Sequence, residues 1–129
     1  MTIKEVSEKF NISQDTLRYY ERIGLIPPVS RTASGIRNYQ ESDLGWVENA
    51  VCMRSAGVPI EALIEYVKLF QIGDSTFEAR RQLLKEQYDI LMGQKQQIEA
   101  TMERLKYKVS RYEEAVKTGV LTWEEKECK

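Results

Sequence analysis

The sequence predicts an all-α fold with a small β-hairpin, in which a head of four short helices precedes one long helix. Short amphipathic segments separated by Gly, Pro and Asn fill residues 1–72, which predicts a compact head. Residues 75–117 instead carry an apolar seven-residue repeat without proline, which is typical of a coiled-coil helix. Residues 118–129 form a short, charged tail that we expect to be frayed.

The first two helices are separated by a turn of a few residues. Apolar residues recur at helical spacing behind Thr2, which predicts a helix over residues 3–10 that ends at Asn11. Ser13 is a favourable N-cap for the next helix, and Gly24 follows that helix as a left-handed C-cap. Two short helices joined in this way predict a helix-turn-helix.

A turn-rich segment follows the second helix. Pro27 and Pro28 cannot continue a helix and favour an extended exit. The segment 29–39, VSRTASGIRNY, has a Ser-Gly turn between two short stretches. This pattern predicts a small hairpin, so the head is predicted to be a winged helix-turn-helix.

Basic and aromatic side chains converge on this part of the head. Arg18 and Tyr19 are predicted on the outer face of the second helix, and Arg31, Arg37 and Tyr39 on the hairpin. A helix of this kind fits the major groove of duplex DNA, where it reads base edges, while a neighbouring hairpin reaches phosphates. The alternative is a small helical domain whose arginines are merely solvated.

Two further helices complete the predicted head. The third covers residues 43–57 and the fourth residues 59–70, with Pro59 in the first turn of the fourth helix. Apolar residues of the third helix fall on more than one face, so we expect it to be covered from several sides. Arg54, on the exposed side of this helix, is a further candidate for contact with flanking phosphates.

The long helix needs a partner for its apolar stripe, and a second copy of the same helix is the simplest one. The sequence thus predicts a homodimer. Lys95 in the stripe and the interior Gly93 mark a weak point, and the heptads leave the orientation of the two helices open. The predicted dimerisation residues are Leu84, Leu91, Ile98, Met102, Leu105, Val109 and Tyr112.

The run TLRYYERIGLIPP, with SGIRNY and ESDL after it, resembles the DNA-binding head of the MerR family of bacterial transcription regulators. The resemblance extends from Met1 to about Phe70. It implies a homodimer with antiparallel long helices that binds double-stranded promoter DNA together with RNA polymerase. It also implies DNA contact at the matching positions, including Arg18, Arg31 and Arg37. Within the family the chain is most similar to small thiol-dependent regulators that respond to aldehydes and other electrophiles.

The two cysteines, Cys52 and Cys128, lie far apart in a chain without histidine, which favours reduced thiols over a disulfide framework. Cys52 is predicted either as a small inert core residue or, as the resemblance implies, as the sensor thiol in a tightly packed helix. A soft-metal site needs at least two ligands that can meet, so we expect no metal site. We also expect no cofactor and no enzyme activity, because a nucleophile paired with histidine is impossible here.

Composition sets the remaining bounds. The 19 basic residues against 20 acidic ones give a net charge of -1, so DNA binding must come from the placement of charges rather than from their total. Apolar runs are too short for a membrane span, which leads us to expect a cytoplasmic protein. The length leaves no room for an added small-molecule-binding domain of ordinary size. Two functions fit: a regulator that responds to a signal, and a DNA-binding adaptor or architectural protein without an effector.

Overall fold

The computed structural model describes residues 1–124, and these are mainly helical. The predicted order of helices is confirmed. The elements are α1 (Ile3–Phe10), α2 (Gln14–Ile23), α3 (Glu41–Ser55), α4 (Ile60–Ile72), a 3-10 turn (Asp74–Thr76) and α5 (Phe77–Thr118). The long helix α5 has 42 residues.

Side chains cap the N-termini of the first two helices, and the cap at Ser13 is the one that the sequence predicts. Thr2 Oγ1 accepts a hydrogen bond from the Glu5 N–H (3.2 Å), and the Thr2 N–H donates to Glu5 Oε1 (3.0 Å). Ser13 Oγ accepts a hydrogen bond from the Thr16 N–H at 3.0 Å. Such caps satisfy backbone donors that a helix leaves unpaired at its N-terminus. They therefore fix where α2, the helix with the exposed basic face, begins.

The core of the head lies beneath α2. Leu17 of α2 and Val6 of α1 are both fully buried, and α1 packs against α2 and α3. Burial of one face of α2 leaves its other face open to solvent, as the spacing of its apolar residues predicts. The buried apolar residues are Val6, Leu17, Leu25, Ile26, Val29, Tyr39, Val47, Ala50, Val58, Leu63 and Val67.

The predicted hairpin is reduced to a loop, and within residues 1–124 the structure contains no β-strand. Residues 29–39, which we call the wing loop, form one isolated antiparallel bridge between Arg31 and Arg37. The turn is closed by hydrogen bonds from the Thr32 N–H to Ile36 O (2.8 Å) and from the Gly35 N–H to Thr32 O (2.9 Å). Because the wing loop has no third strand beside it, pairing stops after a single bridge. The β-hairpin itself is therefore not confirmed.

The third helix is less covered than predicted. Its buried residues are Asp43, Val47 and Ala50, whereas Cys52 is exposed. Trp46 packs on α4, with its ring centroid 4.9 Å from that of Phe70. In the single chain the outer face of α3 is open. The cover expected on this face is the long helix of a partner, as the resemblance implies, and it stays a prediction.

Arg80 and Thr76 tie the beginning of α5 to α4. The Thr76 hydroxyl donates to Leu69 O at 2.7 Å. Arg80 donates from Nε to Thr76 Oγ1 and from Nη2 to Gly73 O, both at 3.0 Å. Its guanidinium also lies over the Phe77 ring. These contacts satisfy carbonyls at the end of α4 and hold the first turn of α5 in place.

The chain divides into two compact units, one of residues 1–88 and a second that begins at residue 89. Along α5, most residues of the predicted dimer stripe are exposed in the single chain, whereas Leu91 is half-buried. Ile98, for example, is 61% exposed and Met102 60%. A helix with such an apolar stripe is not stable in water without a partner surface.

The end of the described chain is ordered against α5, which corrects the expectation of a frayed tail for residues 119–124. Gly119 has a φ of 78°, in the left-handed region that lets a chain turn back at the end of a helix. The Trp123 ring then packs between Tyr107 (6.1 Å) and Tyr112 (5.8 Å), measured between ring centroids. The Glu124 N–H donates to the Tyr107 hydroxyl at 2.7 Å.

Candidate nucleic-acid interface

The outer face of α2 carries the two side chains predicted to contact DNA. The Arg18 side chain is 45% exposed, and its Nη1 lies 2.9 Å from Asp15 Oδ1 in the preceding turn. Tyr19 is 39% exposed, and the Arg22 guanidinium lies 5.4 Å from its ring centroid. An ion pair this exposed is weak, so Asp15 leaves Arg18 available to a stronger anion such as a phosphate.

Glu21 joins the wing loop to α2. The Arg37 Nε donates to Glu21 Oε1 at 2.7 Å, and Arg31 Nη2 lies 3.5 Å from the same oxygen. The Val29 N–H donates to Glu21 Oε2 at 2.7 Å. Both arginines of the wing loop are therefore positioned from a single carboxylate on α2, and they lie beside the helix that carries Arg18.

The electrostatics of Glu21 follow from these contacts. The side chain is only 11% exposed, and this desolvation by itself would raise its pKa. The hydrogen bond from Val29, the hydrogen bond and charge of Arg37, and the charge of Arg31 outweigh the desolvation, so the pKa of Glu21 is lowered. Glu21 thus stays ionised between the two arginines and neutralises part of their charge.

Replacement of Glu21 should make the stability of the head less dependent on pH. A lowered folded pKa stabilises the fold above the ordinary value of 4.5, and that stabilisation is lost as the pH falls through the folded pKa. Glu21→Gln should therefore lower the free energy of unfolding near neutral pH by about 1.5 to 3 kcal/mol, the usual contribution of a hydrogen bond to a charged group. Urea unfolding near neutral pH and near pH 3 measures this, because the difference from the native protein should shrink in acid.

A matched control for that measurement is Glu48→Gln, on the exposed face of α3, which should change stability little at either pH. An equal loss for Glu21→Gln at both pH values would show that the carboxylate charge is not the stabilising group.

Glu21 was missed by the reasoning from sequence. Glu21 lies four residues after the buried Leu17, so the two side chains share one face of α2. An acidic residue on a buried face requires a partner, and the wing loop supplies the first cations beyond the end of α2. This pattern was the available signal.

Tyr39 is corrected from a DNA-contacting residue to a core residue. It is 2% exposed, and its N–H donates to Met1 O at 2.8 Å. Burial raises the pKa of its hydroxyl, and that oxygen has no hydrogen-bond partner within residues 1–124. The sequence places Tyr39 at the end of the hairpin, but the end of the wing loop turns inward beneath α2. A DNA backbone cannot reach a side chain covered in this way.

Arg54 and Cys52 lie on α3 rather than on α2 or the wing loop. Arg54 Nη1 donates to Val58 O at 2.6 Å, which ties the end of α3 to the loop that precedes α4. This orientation occupies one guanidinium nitrogen, and contact between Arg54 and DNA stays a prediction. Cys52 is exposed rather than packed, which corrects the expectation of a tightly packed thiol. Its role as a sensor is likewise still a prediction, and Cys128 lies outside the described residues.

Residues 1–124 contain neither a membrane-spanning helix nor a cluster of metal-ligating side chains. No helix in this part of the chain is long and apolar enough to cross a membrane. The same residues contain no group of three or more His, Cys, Asp or Glu side chains that could hold a metal ion.

The comparison with known proteins agrees with this geometry. A sequence model described as "MerR family regulatory protein" matches residues 2–39, which cover α1, α2 and the wing loop. An HTH-type transcriptional regulator of Haemophilus influenzae is 30% identical over 118 residues, or 92% of this chain and 87% of that protein. This chain belongs to the MerR family of transcription regulators.

Two other relatives have a higher sequence identity to this chain. The HTH-type transcriptional regulator AdhR of Bacillus subtilis is 55% identical over 87 residues, which cover 67% of this chain and 62% of AdhR. The match therefore spans less than two thirds of the length of AdhR. A crystal structure of a MerR family transcriptional regulator from Listeria monocytogenes is 47% identical, with a TM-score of 0.85 over 88% of this chain and 86% of that one.

A second solved MerR family structure includes DNA. HiNmlR, described as a MerR family regulator lacking the sensor domain and bound to promoter DNA, is 30% identical with a TM-score of 0.82. The superposition covers 92% of this chain and 94% of that chain. The fold of the present MerR family member is thus the fold that HiNmlR presents to a promoter.

Proposed function

We propose that this protein is a transcription regulator that binds duplex promoter DNA as a homodimer. The observation that carries the proposal is the shared position of Arg18 and Tyr19 on the open face of α2 and of Arg31 and Arg37 beside them. The likeness to HiNmlR, whose structure contains promoter DNA, supports the same assignment.

Each side chain has a distinct task in the proposed complex. Helix α2 enters the major groove, where Arg18 contacts a guanine edge or a phosphate and Tyr19 donates to a phosphate oxygen. The wing loop lies along the adjacent backbone, where Arg31 and Arg37 contact phosphates. Glu21 holds both arginines in position before DNA arrives, so less side-chain freedom is lost on binding.

Two heads are needed to read a symmetric site. Each head reads one half-site, and the exposed apolar stripe of α5 joins two copies so that both half-sites are bound at once. Without the pairing, each head binds with the affinity of a half-site alone. The family also implies RNA polymerase as a partner at the same promoter.

A response to a signal would act through the geometry of the DNA. Distorting a binding site by tens of degrees costs about 1 to 6 kcal/mol, which a rearranged dimer can supply. In this proposal the regulator occupies the promoter with or without its signal, and the signal changes the twist or bend of the DNA more than the affinity.

Cys52 is the proposed sensor for an aldehyde or another electrophile. Its exposure in the single chain gives a reagent access to the sulfur, which a buried core cysteine would not allow. An adduct there cannot act by overpacking the core of the head. Instead it alters the outer surface of α3, and the conformational change must arise where another part of the dimer meets that surface.

Replacement of Cys52 should separate DNA binding from signalling. We expect Cys52→Ser to occupy the promoter normally but to lose induction in cells exposed to an aldehyde, because serine does not form the thiol adduct. Promoter occupancy and a transcription reporter measure the two properties separately. Cys128→Ser is the control and should respond as the native protein does. A fully inducible Cys52→Ser protein would eliminate Cys52 as the sensor.

The same experiment addresses the alternative function. A DNA-binding adaptor or architectural protein without an effector would bind the same DNA and show no change in transcription with any electrophile. A footprint on the DNA that flanks the protein's own coding region tests the shared part of both functions. We expect protection of an inverted repeat between promoter elements. Protection without any sequence preference would contradict the regulator and leave only the architectural protein.

A further inference from the structure

The stripe of α5 has a regular charge pattern along one side. Apolar residues recur every seven positions from Phe77 to Tyr112. The residue directly after each of them lies on one side of the stripe, and we call these residues the flank. All of them are exposed except Met92, which is half-buried. The flank consists of Glu78, Lys85, Met92, Glu99, Lys106 and Glu113.

The opposite side of the stripe is partly occupied by the head. Arg80 on that side donates to Thr76 and Gly73, and Gln87 is half-buried. The flank is therefore the side on which a second copy can place charges along the full length of the helix. In antiparallel coiled coils, residues at this heptad position meet the same position of the partner helix.

For the antiparallel pair that the family resemblance implies, we infer from this pattern a register in which the two-fold axis lies beside Met92, and this register rests on the homodimer proposed above. In this register Met92 meets Met92 of the second copy. Lys85 meets the second copy's Glu99, and Glu78 meets the second copy's Lys106, so every charged pair has opposite signs. By symmetry, each of these pairs occurs twice in the dimer.

Neighbouring registers lose this match. A shift of one heptad in one direction places Lys85 against Lys106 and Glu78 against Glu113. A shift in the other direction places Glu78 against Glu99. Like charges in facing positions of a coiled coil are unfavourable and select against the register that creates them.

The seam itself favours the same arrangement. With the axis beside Met92, Lys95 lies against Leu91 of the second copy, Tyr88 against Ile98, and Leu84 against Met102. The lysine stem can cover a leucine while its ammonium group stays in water. In a parallel, in-register pair, Lys95 would instead face Lys95 of the second copy in the seam, where the two desolvated ammonium groups repel each other.

Two exposed ion pairs that involve the flank within one chain are compatible with the register. Lys95 Nζ lies 3.9 Å from Glu99 Oε1, and their side chains are 68% and 61% exposed. Glu78 is paired with Arg81 in the next turn of the helix. Contacts this exposed are weak, so Glu78 and Glu99 can each also pair with a lysine of the second copy.

Charge reversals in the full-length protein test the register through the dissociation constant of the dimer, measured by sedimentation. Lys85→Glu and Glu99→Lys should each raise this constant by about tenfold, because each change turns two attractive pairs into repulsive ones. The double variant Lys85→Glu/Glu99→Lys should return close to the native value. An equimolar mixture of the two single variants should form heterodimers in preference to homodimers.

The matched control is Lys85→Glu/Glu113→Lys, which makes the same kind of exchange with a residue that this register does not pair with Lys85. Its dimer should keep the raised dissociation constant of the single variants. A native dimer in which the Glu99 double variant is not restored, or in which the Glu113 double variant is, would overturn the register alone. A native monomer at micromolar concentration would overturn both the register and the homodimer.

Discussion

Ile98→Glu/Met102→Glu should convert the protein from dimers to monomers at micromolar concentration. Both side chains are about 60% exposed in the single chain, so the changes should leave each helix and head folded. A dimer would bury four such side chains. Full burial of a large apolar side chain contributes about 1.5 to 3 kcal/mol, and about 60% of each is still exposed in the single chain, so roughly 4 to 7 kcal/mol of association is lost. The monomer should also lose most of its affinity for a full operator, because it retains a single half-site.

The control for this experiment is Gln97→Glu/Ala100→Glu, which adds the same two charges to the face of α5 away from the stripe. Sedimentation should show that this variant is still a dimer. Circular dichroism of both variants checks that α5 stays helical. If the Ile98 and Met102 variant remains a dimer with native operator affinity, the stripe is not the contact between copies.

Arg18→Ala should weaken binding to the operator by about 1 to 3 kcal/mol at each half-site, because it removes a contact to a base edge. The loss applies twice in a dimer, whereas binding to random duplex should fall much less. Arg31→Ala should act differently, with a similar loss on all sequences and a decrease of about one unit in the salt slope for each phosphate contact removed. Fluorescence anisotropy with operator and random duplex over a range of salt concentrations measures both effects.

Lys4→Ala is the control for charge, since Lys4 is exposed on α1 and not on the face of α2 that carries Arg18. It should change neither the specificity nor the salt slope. Arg31 is a cleaner choice than Arg37 because Arg37 is 24% exposed and holds Glu21 directly, so its loss also destabilises the head. Equal losses on operator and random DNA for Arg18→Ala would mean that Arg18 reads no base.

The helices of the head could be predicted because their signals are local. Thr2 and Ser13 satisfy backbone donors in the next turn, and Gly24 adopts a positive φ of 83° that ends α2. Each of these depends on residues fewer than five positions away, so no tertiary contact is needed to read it. The long helix could be predicted for a similar reason, since its repeat is a property of one segment.

The wing loop shows where local reasoning stops. Its arginines were identified from the sequence, but the carboxylate that positions them is on another element, sixteen residues from Arg37. Tyr39 was placed on the surface because it stands close to Arg37 at the end of the predicted hairpin. Whether a side chain at the end of a loop turns inward depends on the space beneath it, and sequence spacing does not report that space.

The expectations for Cys52 and for the tail differ from the structure for a related reason. Cys52 was expected to be packed because apolar residues surround it in the sequence, yet what covers the outer face of α3 is decided by its neighbours in space. The tail was expected to fray because it is short and charged. Trp123 overrides that tendency by packing on Tyr107 and on Tyr112, a residue predicted to belong to the dimer stripe.

The central claim, that two heads joined through α5 read a symmetric promoter site, is tested most directly by the stoichiometry and spacing dependence of binding. Titration of the protein into a duplex that carries the operator should end at two chains per duplex. Insertion of half a helical turn between the half-sites should reduce the affinity to nearly that of a single half-site, because the paired helices hold the heads on one face of the DNA. One chain per duplex, or an affinity that does not change with the insertion, would contradict the account.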